Sequence, residues 1–267
     1  MADRDLVRLE SLAIHAGNNP LVHDVNLTLS SGELVALVGA SGSGKTLSAR
    51  AMVGLVHVHP GVVSGDLVLR IDGKESRPYR ERNPRRLQAT FEKIRGRAIT
   101  YLPQDSQSAL DPLWTVQRHL LQVLQQDSTE NLESHALSAL ERAGFSHPAE
   151  IMPLYPHELS GGMAQRVCIS LGLARGSRFL LADELTTGLD PSVQHRIMLQ
   201  VAGLRQVGVG VLVVTHDLRL VHRFADRVVV LDGGRVVEAC RPADLSDSTQ
   251  ASTRRLLDAV GRVEDRG

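Results

Sequence analysis

The run Gly39-Ala40-Ser41-Gly42-Ser43-Gly44-Lys45-Thr46 constrains this chain more than any other stretch. It satisfies G-x-x-x-x-G-K-[ST], follows the wholly apolar Leu34 to Val38, and precedes a segment, Thr46 to Val56, that reads as a helix. In that setting glycines let the backbone curl so that successive N–H groups point inward. They do so at a helix N-terminus whose partial positive charge favours anions. The pattern predicts an α/β fold with a strand buried on both faces and a phosphate cradle at its carboxyl end. Gly39, Ser41, Gly42, Ser43, Gly44, Lys45 and Thr46 form the predicted nucleotide-binding set, with Lys45 reaching the β- and γ-phosphates and the Thr46 hydroxyl ligating Mg²⁺.

Other short apolar runs end in chemistry of the same kind. Phe179 to Ala182 leads straight into Asp183 and Glu184, and Val209 to Val214 into Thr215-His216-Asp217. In a parallel sheet these ends adjoin the glycine loop. Asp183 is therefore the predicted Mg²⁺ ligand through its water shell, and Glu184 the base that takes a proton from the attacking water. His216, at the same sheet edge, is predicted to contact the γ-phosphate and hold water and base in line. Up to here the residues describe a P-loop NTPase, with a nucleotide such as ATP and Mg²⁺ as the expected ligands.

The rest of the chain reads as one α/β unit carrying an insertion. Val7 to Ile14, Val25 to Leu29 and Val228 to Leu231 read as strands, and Asp66 to Ile71 with Asp72-Gly73 as an edge hairpin. Residues 75–97 hold eight Arg or Lys against three Glu and read as a solvated, loop-rich face, with a partner surface as the alternative. From about 113 to 176 the apolar spacing turns helical, as in Leu120, Leu121 and Leu124.

At 267 residues, 42% hydrophobic and 22% charged, the chain has enough apolar residues for a core of its own. Thirty basic and thirty acidic side chains cancel, which leaves no global field to draw in nucleic acid or an anionic bilayer. Asp3 and Asp5 stand where a signal peptide needs an apolar run, and no apolar run approaches the roughly 20 residues of a membrane span. Association with a membrane is thus expected through a protein partner. Cys168 and Cys240 have no paired spacing, which argues against a disulfide framework and a zinc cluster, and Cys168 reads as a small buried hydrophobe. His57-Val58-His59 is a weak chelating pattern if it lies on a strand.

Leu159-Ser160-Gly161-Gly162-Met163-Ala164-Gln165-Arg166 narrows the family. It resembles the LSGGQ signature of ABC ATPases, with Met163 at the usual Gln position. Tyr101-Leu102-Pro103-Gln104-Asp105 is similar to that family's Q-loop and Gly188-Leu189-Asp190 to its D-loop, and the resemblance covers essentially the entire chain. It implies a RecA-like P-loop core with an antiparallel β subdomain (about 1–105 and 177–245), a helical subdomain (about 106–176) and a C-terminal tail (246–267), all within one ABC ATPase domain. It implies Gln104 as a further contact to Mg²⁺, Ser160, Gly161 and Gly162 as phosphate contacts to the ATP of a partner subunit, and Asp190 as a signal across the dimer.

The implied partners are a second ATPase subunit, identical or related, two transmembrane permease subunits and, indirectly, an extracytoplasmic solute-binding protein. The implied location is peripheral, on the cytoplasmic face of the inner membrane. Pro20 to Val25, Ser108 to Pro112, Leu154 to Met163 and Ala182 to Thr187 resemble the peptide and nickel importer branch, particularly its nickel subunits. Peptide-importer ATPases carry a longer C-terminal extension with clustered cysteines, so nickel or a metal chelate is the favoured cargo and di- or oligopeptides the alternative. Soluble ABC ATPases of DNA repair or translation, and a nucleotide-binding scaffold that does not hydrolyse, are less favoured. The sequence shows no coiled coil or zinc module, and Glu184 and His216 are both present. Two positions depart from the family. Leu185 replaces the usual Pro after the catalytic Glu, and the aromatic that stacks on adenine near residue 16 is replaced by Ile14-His15-Ala16-Gly17.

Overall fold

Apolar and polar residues alternate along the first strand, and the alternation changes phase in the middle. Val7 and Leu9 are fully buried, then Leu12 and Ile14 are. The shift is a bulge at Ser11, whose φ of 48° lets the strand gain a residue without turning its apolar face to water. The Ser11 N–H is satisfied by Asn26 Oδ1 at 3.0 Å.

The computed structural model describes residues 4–125 and 131–264, so Asp3 and the end of the predicted tail lie outside the described residues. In chain order the elements are β1 (Leu6–Ala16), β2 (Asn19–Ser30), β3 (Leu34–Gly39), α1 (Lys45–Ala51), β4 (Pro60–Ile71), β5 (Lys74–Ser76), α2 (Pro84–Ile94) and β6 (Ile99–Leu102). There follow α3 (Val116–Leu124), α4 (Leu132–Arg142), α5 (Pro148–Ile151), α6 (Gly161–Ala174), β7 (Phe179–Asp183), α7 (Pro191–Gly203) and β8 (Gly210–Val214). The chain closes with α8 (Leu218–Phe224), β9 (Arg227–Asp232), β10 (Arg235–Cys240) and α9 (Ala251–Glu264).

Two sheets organise these elements. One is antiparallel, in the order β2-β1-β4-β5; the other runs β10-β9-β3-β8-β7-β6, parallel throughout except where β10 folds back on β9. Every residue of β3, β7 and β8 is buried, as layers on both faces of a parallel sheet require. The two faces have different neighbours. Leu212 and Val214 of β8 point into a core shared with the antiparallel sheet, α1 and α2, while Val211 and Val213 point into the core under α3, α4, α6 and α7. A smaller cluster joins Ala36, Val38, Val228 and Val230 to Leu218 and Val221 of α8 and to Leu245, with Leu256 and Leu257 of α9 packed against it.

Three local expectations need correction. Residues 75–97 are not mainly loop: Asn83 caps α2 by accepting from the N–H groups of Arg85 and Arg86, Pro84 occupies the first turn, and Phe91 and Ile94 are buried. The basic run hid that apolar face. Its cations still reach solvent, with Arg82, Arg85, Arg86, Lys93 and Arg97 exposed. The helix after the glycine loop is shorter than expected, because Met52 and Val53 donate to Ala49 and Arg50 in tight turns and Leu55 returns to the Arg50 carbonyl. His57-Val58-His59 precedes β4 instead of lying on it, with both imidazoles exposed. No described group of three or more His, Cys, Asp or Glu has the arrangement of a metal site.

Candidate nucleotide site

The carboxyl ends of β3, β6, β7 and β8 face the same edge of the sheet, and the chain leaves each of them through a predicted functional segment. From β3 the backbone enters the glycine loop. At Gly39 a Cβ would collide with the Leu231 carbonyl oxygen and lie 2.6 Å from Ser43 Oγ. Gly44, with φ of 97°, then starts α1 from the left-handed region. Lys45 is 7% exposed, and its Nζ donates to the carbonyl oxygens of Gly39 (3.0 Å) and Ala40 (2.8 Å), so the loop closes around its own ammonium group. Burial lowers the Lys45 pKa, against the opposing charges of Glu184 and Asp183.

Asp183 ends β7 and is 3% exposed. Its Oδ1 accepts from Thr46 Oγ1 at 3.0 Å and its Oδ2 from the Tyr101 hydroxyl at 2.7 Å. Glu184 follows with φ of 49°, an uncommon conformation for a side chain of its kind, and its N–H is pinned to the Val214 carbonyl at 2.9 Å. That turn swings the carboxylate out of the sheet. Its Oε1 lies 3.9 Å from His216 Nδ1, and its Oε2 accepts from Thr187 Oγ1 at 3.3 Å. His216 is itself well exposed, two residues beyond β8. Lys45, Thr46, Asp183, Glu184 and His216 thus come together at one edge, from three strands.

The remaining predicted residues lie elsewhere. Gln104 is exposed on the segment that leaves β6. Ser160 caps α6 by accepting from the Met163 N–H at 3.3 Å, and Gly161 and Gly162 open that helix. A Cβ at Gly162 would meet Val193 Cγ1 at 2.8 Å, so this glycine permits close packing on α7. Asp190 caps α7 without a side-chain hydrogen bond. Among the described residues, no hydrogen bond or ion pair joins Ser160, Gly161, Gly162 or Asp190 to the glycine loop.

Sequence reasoning missed three contributors. Tyr101 and Arg50 form a chain into Asp183, with Arg50 Nε donating to the Tyr101 hydroxyl at 3.1 Å. The available signal was a lone tyrosine in a short strand of a chain with only 3% aromatics. Burial pushes the Tyr101 phenol up to about 12, so it keeps its proton at neutral pH. Gln107 is the third. Its Nε2 donates to the carbonyls of Pro156 (3.1 Å) and Leu159 (3.2 Å), tying the segment after Gln104 to the entry of α6, and no pattern in the sequence announced it.

The donor chemistry suits ATP and Mg²⁺. Ser43 Oγ is buried inside the glycine loop without a hydrogen-bond partner, a polar atom that a phosphate oxygen would satisfy. Thr46 and Asp183 offer hard oxygen ligands of the kind Mg²⁺ takes, and the Thr46 lone pairs stay open while its proton goes to Asp183. Where the resemblance leads one to expect an adenine-stacking aromatic, His15 and Ala16 close β1 opposite Pro20 and Asn19, both histidine and alanine only partly buried.

A family model described as ABC transporter matches residues 22–187. The peptidoglycan transport ATP-binding protein YejF of Agrobacterium fabrum is 37% identical over 97% of this chain, which spans only 47% of that relative's length. The oligopeptide transport ATP-binding protein AppD of Bacillus subtilis is 35% identical, over 85% of this chain and 68% of its own. The nickel import ATP-binding protein NikD of Pseudomonas putida is 36% identical over 94% of each. Among solved structures, the dimeric ATP-binding cassette MJ0796 bound to ADP and Pi superposes with a TM-score of 0.72 at 28% identity, covering 88% of this chain and 98% of that one. With a family match over more than half its length, an ATP-binding cassette among its structural neighbours and relatives such as YejF and NikD named as transport or import ATP-binding proteins, this chain belongs to the ABC transporter family.

Proposed function

We propose that the chain is the ATP-binding and ATP-hydrolysing motor subunit of an ABC importer that takes up nickel or a metal chelate. The observation that carries the motor reading is the constellation at one sheet edge: Thr46 bonded to Asp183, with Glu184 beside His216 and Lys45 buried in the loop. Lys45 and the loop N–H groups hold the phosphates, Glu184 takes the proton of the attacking water, and His216 keeps water and base in line. Thr46 and Asp183 would hold Mg²⁺, with Gln104 as a further ligand; the ion, when bound, would neutralise charge on the phosphates.

The separation between the signature and the glycine loop within one chain supports a composite site, in which Ser160, Gly161, Gly162 and Asp190 act on the ATP of a second subunit. The dimeric state of the cassette MJ0796 supports the same arrangement. The motor would drive two permease subunits from the cytoplasmic face of the membrane and serve a solute-binding protein indirectly. None of the described helices is long and apolar enough to cross a membrane, which supports a peripheral subunit. The balanced charge gives no support to nucleic acid as a partner.

Nickel uptake is supported by the stretches Leu154 to Met163 and Ala182 to Thr187 and by the similarity to NikD. Peptide uptake is the second reading, supported by the similarity to AppD. Two measurements test these proposals. Lys45→Ala removes charge-assisted contacts worth about 1.5–3 kcal/mol each, so ATP affinity should fall at least roughly ten-fold; unaltered affinity sinks the site. Cellular uptake of labelled Ni²⁺ and of a labelled dipeptide, with wild type and Glu184→Gln, decides the cargo. Loss of nickel uptake alone supports the metal reading, and loss of dipeptide uptake alone overturns it.

A further inference from the structure

We infer that Tyr101 is a positioning residue for the magnesium site, held in that role by Arg50. This rests on the ATP and Mg²⁺ reading of the site and adds to it a residue that acts through Asp183. The Tyr101 hydroxyl has one proton to give and lone pairs to receive with. Arg50 Nε, a donor only, approaches it at 3.1 Å, so the hydroxyl accepts there and must send its own proton to Asp183 Oδ2, 2.7 Å away. Thr46 Oγ1 occupies Oδ1 at 3.0 Å. Each oxygen of the Asp183 carboxylate is thereby engaged from a different element: α1 through Thr46, and β6 through Tyr101.

The consequence is a fixed carboxylate plane. A buried aspartate with only the Thr46 bond is free to turn about its terminal torsion, which is broad and two-fold. The Tyr101 bond removes that freedom before any ion arrives. Groups that orient a ligand in this way influence metal affinity strongly although they never touch the metal. Arg50 also sits on the helix that begins with Lys45 and Thr46, so the chain Arg50–Tyr101–Asp183 ties the phosphate helix to the β6 edge as well as to the β7 terminus.

Tyr101→Phe tests this directly, because it deletes one oxygen and leaves the ring in place. The readout is binding of the fluorescent nucleotide mant-ATP titrated with MgCl₂, without turnover. The magnesium concentration for half-maximal binding is expected to rise roughly ten-fold or more in Tyr101→Phe, while mant-ATP affinity in EDTA stays at the wild-type value. Arg50→Met, which leaves the hydroxyl but removes its donor, is expected to move the half-saturation the same way by a smaller factor. A wild-type magnesium half-saturation in Tyr101→Phe overturns the inference, and so does a lowered thermal midpoint without a magnesium effect, since that marks a purely structural bond. If the wild type itself binds mant-ATP no better with magnesium than in EDTA, the magnesium reading of the site fails and takes this inference with it; if it binds mant-ATP under neither condition, the nucleotide reading fails.

Discussion

Burial pushes the Cys168 thiol up to about 12, and its Sγ donates to the Ser106 carbonyl at 3.3 Å inside the core beneath α6. Cys240, at the end of β10, is only partly buried, though burial and then the carboxylates of Glu238 and Asp244 raise it too. Since the thiolate is the reactive form, a maleimide at neutral pH should label one thiol per native chain, at Cys240, and both after denaturation. Equal labelling rates in the native protein would contradict the burial of Cys168. At this scale much was legible, because the phosphate loop and the acidic pair are contiguous in sequence. What was not legible arises from contacts across the chain: Tyr101 reaches Asp183 over 82 positions, and Gln107 reaches Leu159 over 52. Leu185, which departs from the family's proline, is 1% exposed in the core shared with the helical layer; its side chain serves packing there.

Helix α8 starts beside the candidate site, and its cap is the clearest element-scale test. Asp217 accepts from the Arg219 N–H at 2.9 Å and from its guanidinium at 3.2 and 3.0 Å. Burial alone raises the Asp217 pKa, but the bonds from Arg219 outweigh it and hold the carboxyl below its usual value. A group depressed in this way stabilises the fold fully above its unfolded value and loses that contribution as the pH falls through its folded one. Asp217→Ala should therefore cost about 1 kcal/mol in denaturant unfolding at pH 7, and the gap to wild type should close below about pH 4. A difference that grows with acidity would contradict the assigned cap. Elements that are short continuous apolar runs ending in functional residues, such as β3, β7 and β8, were legible from sequence. Helix α2 was not, since Leu87, Phe91 and Ile94 lie within a stretch, 75–97, that holds eight Arg or Lys, and neither was the bulge at Ser11, which depends on the partner strand.

For the molecule as a whole, the order of the strands was beyond the sequence. Nothing in β3 says that its neighbours are β8 and β9, yet this pairing lets the Thr215 N–H donate to the Leu37 carbonyl of β3 and brings Leu231 and Gly234 against the glycine loop, where the Gly234 N–H donates to the Ser43 carbonyl. The consequence is a half-site. One chain presents its phosphate loop, Asp183, Glu184 and His216 at one edge, and its signature and Asp190 at α6 and α7, joined to the segment after β6 through Gln107. On the proposed function, such a molecule is expected to turn over ATP as a pair. The most direct test is steady-state ATP hydrolysis with Mg²⁺ by wild type and Glu184→Gln, together with the mass of each in solution with ATP. The expected result is turnover lowered roughly 10²–10⁴-fold in the variant, with ATP binding intact and an ATP-dependent dimer accumulating. Wild-type turnover in Glu184→Gln, or a variant that binds ATP and stays a monomer, would contradict it.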